Sequence, residues 1–236
     1  MGFVLLEGGR EFNAGMAAAD KRAMAVCGGR AQPVRIIPAA AAPDDNHGRA
    51  AANGVGWFQS LGAADVRAVD VIDRASADRP DLAREIERAR LVFVLGGFTR
   101  YLAETLSGSL AWQAMVSAHR SGSVIAGSSA GAMVMCEHYF DPTSGKVLPG
   151  LNLLPNVSVL PHHDTFGKDW APRLTRLLPG RILIGIDEET GLLNDGEAGQ
   201  WTVYGKGAVT VYEPGGKSVL QHGKRFVLPV AVRDHS

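Results

Sequence analysis

At 236 residues, the chain is long enough for one large α/β domain and short for two of typical size, so a single domain over residues 1–236 is expected. Hydrophobic residues at 46%, charged residues at 20% and aromatic residues at 7% describe a globular protein and exclude a disordered or fibrous chain. Lys and Arg total 24 against 24 Asp and Glu, and this balance provides no electrostatic footprint for nucleic acid or anionic lipid.

The first apolar run, Phe3 to Leu6, stops at Glu7, Gly8, Gly9 and Arg10. It is far shorter than a signal-peptide core, and no segment approaches the roughly 18 apolar residues of a membrane helix. The expectation is a cytoplasmic protein with no membrane partner. The two cysteines, Cys27 and Cys136, fit neither a disulfide framework nor a zinc site. Further apolar runs lie at Pro33 to Pro38, Val66 to Ile72, Leu91 to Leu95 and Ser123 to Ala126. They alternate with helical stretches, the pattern of successive β-α units around a parallel sheet. In the clearest helix, Pro80 suits the first turn, and Leu82, Ile86 and Ala89 recur at i, i+4 and i+7 with charges on the other face.

After Cys136 the pattern changes. Val157 to Leu160 and Ile182 to Ile186 read as strands, with Trp170 to Leu178 as a helix between them. Trp201 to Tyr212 and Ser218 to Pro229 read as antiparallel strands about a Pro-Gly-Gly turn at 214 to 216. The expected fold class is therefore α/β: a mostly parallel, mixed central sheet flanked by helices, with antiparallel C-terminal strands.

Two apolar runs end in small residues, Gly96-Gly97 and Gly127-Ser128-Ser129-Ala130-Gly131-Ala132. Ligand crevices of open parallel sheets lie beyond the carboxyl ends of the strands, so both clusters are expected at one cleft. The second cluster contains Gly-x-Ser-x-Gly between a strand and the apolar helix Ala132 to Met135. That is the context of a nucleophile elbow, where residues two before and two after the serine must be small because their backbones nearly collide. Ser129 is the candidate nucleophile, and Ser128, flanked by Ala126 and Ala130, lacks glycine on either side. The plainer alternative is a turn that caps a helix or holds a phosphate.

A serine hydroxyl needs a base, and the base needs a third group to hold its tautomer. His162 and His163 follow a strand through Pro161, at the rim where Ser129 emerges, and Asp187, Glu188 and Glu189 follow another strand. His47 and His138 sit in polar or helix-flanking sequence, and His222 and His235 lie toward the C-terminus. Two triads fit: Ser129, Asp187, His222 in the order of α/β-hydrolases, or Ser129, His162, Glu188; spacing does not choose. No metal or cofactor is expected. The set His162-His163-Asp164 is the one local exception, and adjacent histidines on an extended segment point to opposite faces.

With these residues in view, the chain resembles the dipeptidase E and cyanophycinase group of serine peptidases, whose fold is related to class I glutamine amidotransferases. Four ordered motifs carry the resemblance: Leu95-Gly96-Gly97, Gly127 to Ala132, Leu151 to Pro155 ahead of Pro161-His162, and Gly185-Ile186-Asp187-Glu188. The resemblance implies Ser129 as nucleophile, His162 as general base, Glu188 as its acid, and the backbone N–H groups of Gly97 and Ala130 as the oxyanion hole. Glycine at 97 suits that role because the backbone can approach the tetrahedral oxygen unobstructed. Phe98-Thr99-Arg100 stands where dipeptidase E has Asn and cyanophycinase Asp-Gln, and His163 stands where the family commonly has Phe. Leu160-Pro161 replace a polar Asp-Gln, and only Lys168, Arg173 and Arg176 follow where cyanophycinase is arginine-rich. The family favours aspartyl groups on the acyl side, which implies a small peptide substrate whose carboxylate pairs with a basic residue such as Arg100 or Arg173. An esterase using the same nucleophile and a non-catalytic amidotransferase-like binding module are the alternatives, and a homodimer stays open.

Overall fold

The computed structural model describes residues 2–228; Pro229 and His235 lie outside the described residues. Strands β1 (Phe3–Glu7), β2 (Val34–Ile37), β3 (Val66–Ala68), β4 (Leu91–Val94) and β5 (Val124–Ser128) pair in parallel in the order β1-β5-β4-β2-β3. The crossovers carry α1 (Ala17–Val26), α2 (His47–Ser60), α3 (Arg74–Ala77), α4 (Pro80–Glu87), α5 (Thr99–Leu106) and α6 (Leu110–Arg120). Helices cover both faces, so most strand positions are buried rather than alternately buried and exposed. The pleat still sorts them: Val4, Leu6, Val92 and Val94 join a core with Leu102, Leu106 and Met115, whereas Leu5, Leu91 and Phe93 join a second core with Ala19, Ala23 and Phe58.

Each predicted β-α run forms, with ends shifted by a few residues. Pro80 is at the start of α4 and Ile86 is fully buried, as the helical spacing requires. The run Val66 to Ile72 keeps strand pairing only to Ala68, because Asp73 caps α3 and pulls the chain out of the sheet.

The C-terminal third is more divided than its sequence pattern suggests. After β5 come α7 (Ala130–Val134), a hairpin of β6 (His138–Asp141) and β7 (Lys146–Pro149), then β8 (Val157–Leu160), α8 (Ala171–Leu177) and β9 (Ile182–Ile186). They are followed by β10 (Thr190–Leu193), β11 (Trp201–Gly205), β12 (Ala208–Glu213), β13 (Gly216–Gln221) and β14 (Arg225–Phe226). Strands β10, β11 and β14 extend the main sheet antiparallel from β1, while β8, β9, β12 and β13 build a separate four-stranded sheet. The stretch Trp201 to Tyr212 is thus two strands in two sheets. Gly205, at φ 111° and with only 2.2 Å between a Cβ position and the Glu189 carbonyl oxygen, makes the departure that no larger residue could follow. The chain crosses between the same sheets a second time between β9 and β10, at residues 187–189.

Phe93 lies where the rings of Phe12 and Phe58 converge, with centroids at 5.2 and 5.6 Å. Phe93→Ala is expected to lower the unfolding free energy by about 3–5 kcal/mol through the cavity left behind, measured by urea denaturation.

Candidate active site

The site grows from the turn after β5. Ser129 has φ 50° and ψ −110°, a strained conformation for a residue with a side chain. The cause is backbone crowding: a Cβ on Gly127 would lie 2.5 Å from the Gly131 carbonyl carbon, and one on Gly131 would lie 2.3 Å from the Val94 carbonyl oxygen. The Ser129 amide donates to the Glu7 carbonyl at 3.0 Å, fastening the turn to β1. Ser128 ends β5 with its side chain buried, and its hydroxyl donates to Glu11 Oε2 at 2.8 Å. Of the two serines, the turn presents Ser129.

His162 follows β8 through Pro161, with φ 49°. Its amide donates to the Gly8 carbonyl at 2.7 Å, and its ring lies on Gly9, where a Cβ would come within 2.2 Å of the imidazole Cε1. Phe166 stacks on the other face, centroids 4.9 Å apart at 25°. So held, His162 has Nε2 at 3.0 Å from Ser129 Oγ and Nδ1 at 2.9 Å from Glu188 Oε1. A carboxylate can only accept, so Nδ1 carries the proton toward Glu188 and Nε2 is left to accept from the serine hydroxyl.

Glu188 sits where the chain crosses from β9 to β10. Its amide donates to Asp164 Oδ1 at 2.9 Å, the next amide, of Glu189, donates to the Gly9 carbonyl at 3.1 Å, and Arg10 Nη1 lies 3.5 Å from Glu188 Oε2. Gly8, Gly9 and Arg10 therefore touch both the imidazole and its carboxylate.

A second acid-histidine pair lies beside the first, facing inward. His163 Nδ1 is 3.5 Å from Asp187 Oδ1 and its Nε2 is 2.9 Å from the Tyr212 hydroxyl. Burial holds this imidazole below its usual pKa, with the Asp187 charge opposing. Asp187 also accepts from the Ala208 amide, and His222 accepts from the Gly205 amide. The grouping Ser129, Asp187, His222 is thus not assembled, and the two histidines do face opposite ways. Burial pushes Cys27 up to about 11 and Cys136 up to about 12, which leaves neither as a thiolate nucleophile.

Gly97 has φ 141°, and the Ala40 carbonyl oxygen, 2.3 Å from a Cβ position there, leaves room only for glycine. Phe98 donates to that same carbonyl at 2.8 Å, fixing the turn. Ala130 is the first residue of α7, so its N–H has no intrahelical acceptor. Two clefts border the Gly97–Phe98 turn. One, of about 800 Å³, reaches Glu11, Asp44, Arg49 and Trp57. The other, of about 520 Å³, is walled by Arg100, Glu104 and Asp141. Arg100 pairs with Glu104 at 2.8 Å on an exposed helix face. Arg173 is engaged elsewhere: it donates to the Gly145 carbonyl and lies 5.3 Å from the centroid of the Phe140 ring.

The sequence pattern did not single out Gly9, Arg10, Glu11 or Phe166, and marked Asp164 only as a member of a possible metal-ligand set. The first three had a signal, since Gly8-Gly9 ends an apolar run just as Gly96-Gly97 does. Asp164 and Phe166 lie in an irregular loop whose spacing carries no such mark.

A strained serine turn at the carboxyl end of a parallel sheet is the arrangement of a nucleophile elbow. The sequence model of peptidase family S51 matches residues 3–201, and the chain belongs to that family. A cyanophycinase of Geminocystis herdmanii (strain PCC 6308) is 30% identical over 186 residues, which cover 72% of this chain and 66% of that protein. A cyanophycinase of Synechococcus elongatus is 28% identical over 203 residues, 79% of this chain and 60% of that one. The chain therefore spans less than two thirds of the length of these relatives. A peptidase from an acI-B1 Actinobacterium superimposes with a TM-score of 0.87 at 28% identity, covering 97% of each chain. A putative Peptidase E protein from Listeria monocytogenes EGD-e, 18% identical, shares the fold with a TM-score of 0.65 over 87% of this chain and 99% of that one. Among the described residues no helix is long and apolar enough to cross a membrane.

Because the imidazole rests on the Gly9 backbone, Gly9→Ala is expected to push it out of line. Labelling of the serine by a fluorophosphonate should slow by about a hundredfold, the scale of a 1 Å misplacement, with an unchanged circular dichroism spectrum.

Proposed function

We propose that the chain is a serine peptidase of small peptides that works through an acyl-enzyme, with Ser129, His162 and Glu188 as its triad. Ser129 Oγ attacks the carbonyl carbon while His162 Nε2 takes the hydroxyl proton. The N–H groups of Gly97 and Ala130 receive the tetrahedral oxygen, where fixed donors stabilise charge that develops only in the transition state. His162 then gives its proton to the departing amine as the C–N bond breaks, leaving an ester on Ser129. Water repeats the cycle: His162 takes its proton, the hydroxide adds to the ester, and the acid product leaves as Ser129 regains its hydrogen. Glu188 stabilises the imidazolium at each half-reaction and keeps the proton on Nδ1.

The observation that carries this reading is the unbroken row of contacts from Ser129 Oγ through the imidazole to Glu188, at 3.0 and 2.9 Å, on a turn that holds Ser129 at positive φ. Acidic substrates follow from the family resemblance and from Arg100, whose guanidinium borders the cleft at Gly97. A substrate carboxylate would draw it away from Glu104, an exposed i,i+4 partner that holds it weakly.

Dipeptides with Asp, Glu or neutral N-terminal residues, β-linked aspartyl peptides included, test the substrate class. Ser129→Ala and His162→Ala should each lower kcat by about 10⁴-fold or more, and Glu188→Gln by less, because members of a catalytic unit are strongly non-additive. Ser128→Ala should cost far less than Ser129→Ala. Arg100→Gln should raise KM about tenfold for acidic substrates and leave neutral ones unchanged, since only the former lose a charge-assisted pair. A wild-type protein inert to fluorophosphonate and to every peptide would remove the catalytic reading.

A further inference from the structure

Beneath the serine turn lies a buried pair of acids that the mechanism above does not use. Glu7, the last residue of β1, is completely buried, and neither of its carboxyl oxygens has a hydrogen-bond partner if both acids are ionised. Asp20, on the buried face of α1, accepts from Trp57 Nε1 at 2.8 Å through one oxygen, while the other has no partner. The two carboxyls face each other. As two carboxylates they would have four acceptor atoms and one donor, an arrangement whose desolvation alone costs far more than a folded site can absorb. One proton between them supplies the missing donor.

Among the described residues the surroundings contribute no countercharge. Glu11, from the loop after β1, adds a third acid, already bonded to Ser128 of β5. β10 faces Glu7 with Gly191, and α2 contributes the Trp57 indole. Among the described residues no ion pair reaches Glu7, Asp20 or Glu11. Burial first, then the charges of Asp20 and Glu11, push the Glu7 carboxyl well above the carboxylate range. Burial pushes Asp20 up to about 7, against hydrogen bonds from Trp57 and Glu7 that lower it.

The pair connects two parts of the site. Glu7 is the residue whose carbonyl receives the Ser129 amide, and Trp57 is part of the wall of the larger cleft. We propose that Glu7 and Asp20 are positioning residues: a proton shared between their carboxyls fixes β1 against α1 and the Trp57 cleft wall, and so holds the turn that presents Ser129. This rests on Ser129 being the nucleophile. When the shared proton is lost, two buried anions repel at the base of the turn.

The linkage has a definite sign. Both acids have raised folded pKa values, so the folded chain binds more protons than the unfolded one from the ordinary carboxylate range through the raised pKa of each, about 7 for Asp20. Stability from this pair is therefore fullest at the acid end of that window and falls as pH rises through it.

The test uses the full chain with Glu7→Leu and Glu7→Gln, following fluorophosphonate labelling of Ser129 and urea unfolding across pH, with infrared detection of a protonated carboxyl. Glu7→Leu, which leaves Asp20 facing an apolar group, should slow labelling about tenfold, and Glu7→Gln, whose amide still donates to Asp20, should restore it to within about threefold. The fall in stability with rising pH should flatten in Glu7→Gln. The carbonyl band of a buried carboxylic acid should be present in the wild type near neutral pH and absent from Glu7→Gln. Labelling of Glu7→Leu at the wild-type rate, or Glu7→Gln as slow as Glu7→Leu, overturns the proposal. So does a wild type without the acid band, a result that needs no variant to fold. A wild type that shows the band and resists labelling would instead sink the nucleophile assignment on which the proposal rests.

Discussion

The constraint on which the rest of this structure depends is the close approach of backbone at Gly127 and Gly131. With no side chain at either residue, α7 can start immediately after β5, and Ser129 is forced into a left-handed conformation at the carboxyl end of the sheet. Such residues cost of order 1–3 kcal/mol each, and here Ser129, His162, Glu189 and Arg10 all have positive φ within one site. Tight packing on both faces of the sheet offsets that strain: the strands feeding the site are buried on either side. Gly97 is held in its turn by Ala40, so the two glycine turns meet as preset surfaces rather than flexible loops.

The contact row crosses between sheets. Ser129 follows β5 of the main sheet, His162 follows β8 of the second, and Glu188 lies where the chain passes from β9 in one to β10 in the other. Their alignment therefore depends on how the sheets are joined. The joint is a pair of crossings, residues 187–189 and 206–207, tied to each other and to the adjoining strand ends by bonds from Lys206 to the Glu189 carbonyl, from Gly207 to Thr190 and from Asp187 to the Ala208 carbonyl. The turn at Gly8 and Gly9 closes the arrangement by accepting from His162 and Glu189 together.

Within this joint the extended chain sorts adjacent residues by side. Successive side chains on an extended segment point to opposite faces, so His162 and Glu188 meet at the cleft while His163 and Asp187 meet inside, with Tyr212. The inward pair fixes the backbone from which the outward pair projects: His163 donates its amide to Ile186, and its ring occupies the space that Gly185 leaves open. His163 thus supplies a buried ring at this joint, and Phe166 provides the aromatic contact on the outward imidazole.

By itself the sequence determined the parallel β-α units, the strand-end position of both glycine clusters and the register of the elbow. Each of these is local: apolar runs of strand length, a proline at a helix start, and small residues where two backbones collide. The choice of histidine and acid was not local. Two triads satisfied the residue types, and only the family resemblance preferred one, because the pairing is decided by which sheet each strand joins. The division of the C-terminal strands turned on Gly205 and Gly207, whose missing side chains let the stretch Trp201 to Tyr212 pass into two sheets where its apolar pattern reads as a single strand. The buried Glu7 and Asp20 were equally out of reach. A glutamate after four apolar residues reads as a strand end facing solvent, and only the packing of α1, α2 and β10 around it encloses the carboxyl and forces it to share a proton.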